Sequence, residues 1–371
     1  MKGNELKLKK LVAMGAACGI AIAGFGVASM ASAEPVSNSY ALVGSDTLQD
    51  SVNAITNGTT LTGSLVRVTS SNKTLGNFDA FGTTAIQTKQ AGAFFGRPAG
   101  SSAGVNALRA SINGKPYTGN SAVPARIITG QVDIARSSGG PGTNANANGL
   151  LAYVPYGRDA VGFAFKGGDA AWASLTAAQL KSIYDCSNTT VNGVTVKPRI
   201  PQSGSGTRSF FLSAIGNPTL GSCVTDATGT TPENDASVLG DNELIPFSAA
   251  SWVAQANGAT GTNSTTATGV SFGSAVAGQT AFTGTAPNLV PNKAYYDDAT
   301  FGRDTYLVVE FARISSSDAK YDAGLANLVN PSVTNSLTSF GSLNTSVGAV
   351  KKKFGFLAPS TTAIQRAFAT L

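Results

Sequence analysis

The sequence contains no histidine. That absence removes Ser-His-Asp and Cys-His nucleophilic catalysis, imidazole metal ligands and histidine acid–base chemistry together, and most familiar hydrolase mechanisms with them. Charge is sparse as well, at 12% of 371 residues. Methionine occurs only at positions 1, 14 and 30, tryptophan only at 172 and 252, and cysteine only at 18, 186 and 223. No repeat at solenoid or propeller periods is present. What the chain does have is 42% hydrophobic residues, 43 glycines and abundant Ser, Thr, Asn and Ala. That excludes disorder, a collagen-like repeat and a coiled coil, and fits a loop-rich globular protein long enough for two or three domains.

Lys2, Lys7, Lys9 and Lys10 precede an apolar, small-residue run from Leu11 to Ala33 that ends Ala31-Ser32-Ala33. Charge, core and cleavage site together predict a secretory signal peptide over 1–33 and an exported chain that starts near Glu34. The apolar stretch continues past Cys18 through Ile20, Ile22 and Phe25, which argues against lipidation at that cysteine. Without the leader the chain keeps 22 basic and 19 acidic residues. This weak positive balance, with no basic block beyond Lys351-Lys352-Lys353, does not suggest nucleic acid and leaves room for a small anion. Outside the cell Cys186 and Cys223 most simply form one disulfide, with two free thiols the alternative.

Strand-like stretches (Val132–Ala135, Val161–Phe165, Tyr306–Phe311) alternate with helical patterns (Gly104–Ile112, Thr176–Tyr184, Ser205–Ile215), so the class is α/β. Segments 139–149 and 255–288, rich in Gly, Thr, Asn and Ala, read as loops, and the tail from Ser317 returns to helical patterning. Tyr295-Tyr296-Asp297-Asp298 reads as a solvated turn, and the two tryptophans as core or surface residues rather than a sugar platform.

Three Gly/Ser/Thr clusters directly precede probable helices: Gly44-Ser45-Asp46-Thr47, Gly100-Ser101-Ser102 and Gly204-Ser205-Gly206-Thr207-Arg208. A fourth, Arg136-Ser137-Ser138-Gly139, follows a strand. Helix N-termini carry unpaired N–H groups and partial positive charge, hydroxyls add donors, and arginine adds a fork that fits tetrahedral oxyanions. Taken singly, any one cluster is more often a helix cap than a ligand site. The third is neither a Walker loop, lacking the lysine and spacing, nor a nucleophile elbow, because Ser203 stands where that motif needs glycine.

In order along the chain, these clusters, together with Val132–Ser138, Val154–Val161, Leu175–Tyr184, Pro201–Arg208 and Phe354-Gly355-Phe356, resemble the phosphate-type substrate-binding proteins of ABC importers. The resemblance implies a two-lobed type II periplasmic-binding-protein-like fold with mixed sheets, helices on both faces and a ligand cleft between lobes. Lobe 1 would span 34–153 plus 304–371, and lobe 2 154–303. It implies a monomer that captures phosphate or a similar oxyanion outside the cytoplasm, delivers it to a membrane permease, and needs no cofactor, metal or catalytic residue. It carries over Thr47, Ser101, Ser205, Gly206 and Thr207 as ligand donors, and the clusters themselves add Ser45, Asp46, Ser102, Arg136, Ser137, Ser138 and Arg208 as candidates.

Two departures stand out. Ser138 replaces the aspartate that often ends the third motif, so the carboxylate that would accept a proton from phosphate is missing there; Asp46 is the candidate to take over that role, an Asx turn or cap its alternative. Pro201 stands where the family has its arginine, leaving Arg199, Arg136 and Arg208, of which Arg136 at a strand end is expected to be the ligand. The competing function is a secreted or wall-associated binding or adhesion protein with the same fold and another ligand. A hydrolase lacks a compact acidic cluster.

Overall fold

The computed structural model describes residues 38–70, 73–227, 229 and 231–371. The leader expected over 1–33 lies outside them. In chain order the main elements are β1 (Ser39–Gly44), α1 (Gln49–Asn57), β2 (Thr74–Asn77), α2 (Ser101–Asn113), β3 (Ile134–Ser137), β4 (Leu151–Lys166), α3 (Ala177–Tyr184), β5 (Lys197–Pro198), α4 (Gly206–Ala214), β6 (Glu243–Ser248), α5 (Ala249–Ala256), β7 (Val270–Gly273), α6 (Lys293–Tyr296), β8 (Gly302–Glu310), α7 (Ala323–Leu328), α8 (Val347–Lys353) and β9 (Gln365–Ala367). The nine strands form one mixed sheet in the order β5-β6-β4-β8-β3-β1-β2, with β7 and β9 also on β4.

The sequence of β4, LAYVPYGRDAVGFAFK, explains its central place. A strand covered on both faces shows a continuous apolar run instead of an alternation, and of its 16 residues only Arg158 and Lys166 escape full burial. Its first part, Leu151–Ala160, pairs antiparallel with β8, and its last part, Val161–Lys166, with β6. The β4–β8 register slips once, because Tyr156 is an extra residue between Pro155, opposite Tyr306, and Gly157, opposite Thr305.

Side-chain alternation sorts the core into four clusters, two faces in each half of the sheet. Ala152, Val154 and Tyr156 of β4 join Leu42, Leu307 and Val350 on one face, while Leu151 and Tyr153 join Val43, Leu108 and Val308 on the other. Beyond Ala160 the same strand gives Val161, Phe163 and Phe165 to a cluster with Trp172, Tyr184 and Phe211, and Ala164 to one with Ile245, Phe247 and Trp252. Both tryptophans are core.

Cys186 and Cys223 form a disulfide with Cα atoms 6.0 Å apart. Thr176 caps α3 with a reciprocal Thr176–Gln179 capping box. Three readings are corrected. Tyr295 and Tyr296 end α6 and are fully buried, their hydroxyls donating to the carbonyls of Val161 and Gly355, so the tyrosines are core and only Asp297 of that segment is exposed in a turn. The end of the tail is extended: Gln365–Ala367 adds β9 to β4. Segment 255–288 contributes β7, so it is not loop throughout. Among the described residues no helix is long and apolar enough to cross a membrane.

Candidate functional site

Strands β1 and β3 run parallel with Gly44 beside Arg136, so the first and fourth Ser/Thr clusters leave the sheet side by side at the carboxyl ends of their strands, where ligands gather in open α/β sheets. The other two arrive at helix starts. Gly100, at φ +104°, caps α2, and a Cβ there would sit 2.3 Å from the carbonyl of Gly204, so the second and third loops touch directly. A Cβ on Gly206 would meet the hydroxyls of Ser101 and Ser138 at 2.3 Å. Ser101 Oγ in turn accepts from Ser138 N at 3.0 Å and lies 3.1 Å from Ser138 Oγ. The second, third and fourth clusters thereby meet at Ser101, Ser138 and Gly206, with Ser45, Thr47, Ser205 and Thr207 buried as well and Asp46 half-buried.

The donors of the third loop meet a carboxylate that the sequence reading did not single out. Glu233 Oε2 accepts from Ser205 Oγ and, at 3.2 Å, from Thr207 N. Ser205 also caps α4 through Arg208 N, so capping and site-building fall on the same hydroxyl. Asn234 reaches back to the first loop, donating to Asp46 Oδ1 at 3.1 Å and Thr47 Oγ1 at 3.3 Å. Burial, and after it the charge and hydrogen bond of Glu233, hold the Asp46 carboxyl well above the usual carboxylate range. Asp46, Thr47, Glu233 and Asn234 border a cavity of about 440 Å³.

Arg136 does not turn toward the cleft. Its guanidinium donates to the carbonyls of Leu42, Gly44, Ser45 and Phe78 and to Asn77, using every nitrogen within the β1 side of the sheet. Burial pulls its pKa down to about 10. The arginine at the site is Arg303 of β8. The antiparallel register sets it opposite Asp159 of β4, to which it donates from Nε at 3.0 Å and Nη2 at 2.8 Å, and Nη2 also reaches Thr207 Oγ1 at 3.0 Å. Both partners of this pair are essentially inaccessible to solvent, and Asp159 further accepts from Ser248 Oγ and Ala250 N. A sequence signal for it existed. Gly157-Arg158-Asp159 and Gly302-Arg303-Asp304 are twin tripeptides on antiparallel strands, and the register pairs them reciprocally, Arg158 with Asp304 at 3.2 Å and Arg303 with Asp159.

Of the remaining expected residues, Ser102 and Ser137 line a cavity together with Ser101 and Gly206, while Arg208 turns elsewhere. Ser102 is exposed on the next face of α2. Ser137 Oγ donates to Gly139 O, and Arg208 turns back to the carbonyl of Pro201. Arg199 is paired with Glu243 and Asp226 at 3.1 and 2.8 Å. Among the described residues, no group of three His, Cys, Asp or Glu side chains is placed to hold a metal ion. Ser45 Oγ and Arg303 Nη1 are buried without a hydrogen-bond partner among the described residues, two spare donors.

No protein-family model matches the sequence, and no curated protein matches it. Solved structures do. An ABC-type phosphate transport receptor from Vibrio cholerae superposes with a TM-score of 0.50 at 13% identity, covering 86% of this chain and 100% of its own. A phosphate-binding protein from Stenotrophomonas maltophilia gives 0.46 at 13% identity, over 87% of this chain and 91% of its own. With its central mixed sheet flanked by helices, this chain is α/β and similar in fold to the Vibrio receptor.

Proposed function

We propose that the chain captures inorganic phosphate, or a closely related tetrahedral oxyanion, outside the cytoplasm and delivers it to a membrane ABC importer. The observation that carries this reading is the convergence of three hydroxyl-rich loops, the α4 N-terminus and the buried Arg303 on one cleft of a periplasmic-binding-protein-like fold. Ser45, Thr47, Ser101, Ser138, Gly206 and Thr207 are the neutral donors of the site. Arg303 takes the charged role expected of Arg136, because a buried arginine with a free Nη1 can fork onto an anion and one that spends every nitrogen on backbone cannot.

Asp46 is the group that separates phosphate from sulfate. Its ionised carboxylate accepts a hydrogen bond from a phosphate that carries a proton and repels sulfate, which carries none. Lobes of 34–153 plus 304–371 and of 154–303 would close over the anion about the crossing strands β4 and β8. The role is binding and not catalysis, carried out by a monomer after removal of the leader.

The test is isothermal titration of chain 34–371, stripped of anions, with phosphate and then sulfate. Binding of phosphate alone is expected. Silence toward both on folded protein refutes the reading and hands the chain to the adhesion alternative.

A further inference from the structure

The donors at the start of α4 are already taken by the protein itself. Glu233 is 2% exposed, and one of its carboxylate oxygens receives both Ser205 Oγ and Thr207 N. A carboxylate at a nine-residue helix's N-terminus stands where an incoming oxyanion would draw on the same N–H groups and dipole. It does not complete the site. Ser45 Oγ, on a wholly inaccessible residue, and Arg303 Nη1, on a residue 3% exposed, stay without partners among the described residues. These buried donors call for an acceptor that Glu233 does not supply. Asn234, at φ +58°, turns the chain directly after it.

Resting on the oxyanion reading above, we propose that Glu233 is the resident anion of the α4 N-terminus, and that phosphate enters the site only by displacing its carboxylate from Ser205 and Thr207. Glu233 then sets the affinity, because the ligand gains at those donors only the difference between itself and the carboxylate, while recruiting Ser45 and Arg303 anew.

The experiment compares the wild-type chain with Glu233→Ala and Glu233→Gln by isothermal titration with inorganic phosphate, with near-ultraviolet circular dichroism checking the fold of each; Gln preserves the volume should Ala not fold. Releasing two hydrogen bonds to a charged acceptor predicts binding tighter by at least about tenfold in Glu233→Ala, and by less in Glu233→Gln, whose neutral oxygen competes more weakly. If the wild type binds and the folded variants bind equally or more weakly, the inference falls while the phosphate reading stands. If only the variants bind, the inference stands and the wild type is not a phosphate carrier. If none binds, both fall.

Discussion

Replacing Arg303 with methionine tests the site and its support at once. The substitution keeps an aliphatic stem against Phe210, whose ring centre lies 5.4 Å from the guanidinium, and removes three hydrogen bonds, two to Asp159 and one to Thr207, together with the unpartnered Nη1. Asp159, fully buried, would retain Ser248 Oγ and Ala250 N but no opposite charge. Breaking one partner out of a buried pair costs about 3–5 kcal/mol. Adding Asp159→Asn removes the stranded charge, and should recover more than half of that loss. Binding behaves differently: the anion loses a charge-assisted contact of about 1.5–3 kcal/mol, roughly ten- to a hundredfold in affinity, and the second substitution does not restore it. Urea unfolding of anion-free protein and phosphate titration of the two variants separate these effects. A double variant that binds phosphate like the wild type would refute the assignment of Arg303, whatever its stability.

Arg136→Met should cost at least ~3 kcal/mol in the same urea assay, since it strips hydrogen bonds from the buried carbonyls of Leu42, Gly44 and Ser45, each worth about 1–3 kcal/mol when left unpaired. A loss under 1 kcal/mol would show that arginine is not tying the first loop to β3. Replacing Cys186 and Cys223 with serine opens a loop spanning 37 residues of sequence, and the chain-entropy relation gives a loss of ~4 kcal/mol; equal denaturation midpoints with and without the bond would contradict it. Asp46, whose folded pKa lies above the ordinary 3.8, favours the native state fully below that value and progressively less as pH rises through the folded one. Asp46→Asn should therefore be more stable than the wild type at pH 7 and lose that advantage toward pH 4 in thermal unfolding, and a gap that does not change with pH would rule this out.

Local pattern was enough for the elements. The capping threonine of α3, the Ser205 start of α4 and the apolar runs inside β4 and β8 are written within a few residues of where they act, and the helix-start clusters duly converge. The partners of those clusters were not legible in the same way. Glu233 and Asn234 sit on a connection with no periodicity, and reach the site only because the loop from α4 to β6 folds back over its own helix start. Arg303 faces the cleft because of strand register, which no window of sequence contains, although the repeated Gly-Arg-Asp was visible. Arg136 misled for a related reason: a strand-end arginine among hydroxyls looks like a ligand until one knows that the neighbouring parallel strand presents a row of carbonyls to it.

The division of β4 between two sets of partners also bears on how the chain acquires its structure as it emerges residue by residue. Val161–Lys166 pairs with β6 and β7, both of which precede Gly302 in the chain. Leu151–Ala160 instead waits for β8 and β9, with 144 residues separating Asp159 from the arginine that neutralises it. A nascent or truncated chain that stops before Gly302 would carry ten residues of apolar strand with both edges open and a carboxylate lacking its cation, which is the kind of surface that recruits other chains. Completion of the C-terminal segment is thus the step that makes this protein safe from its own aggregation.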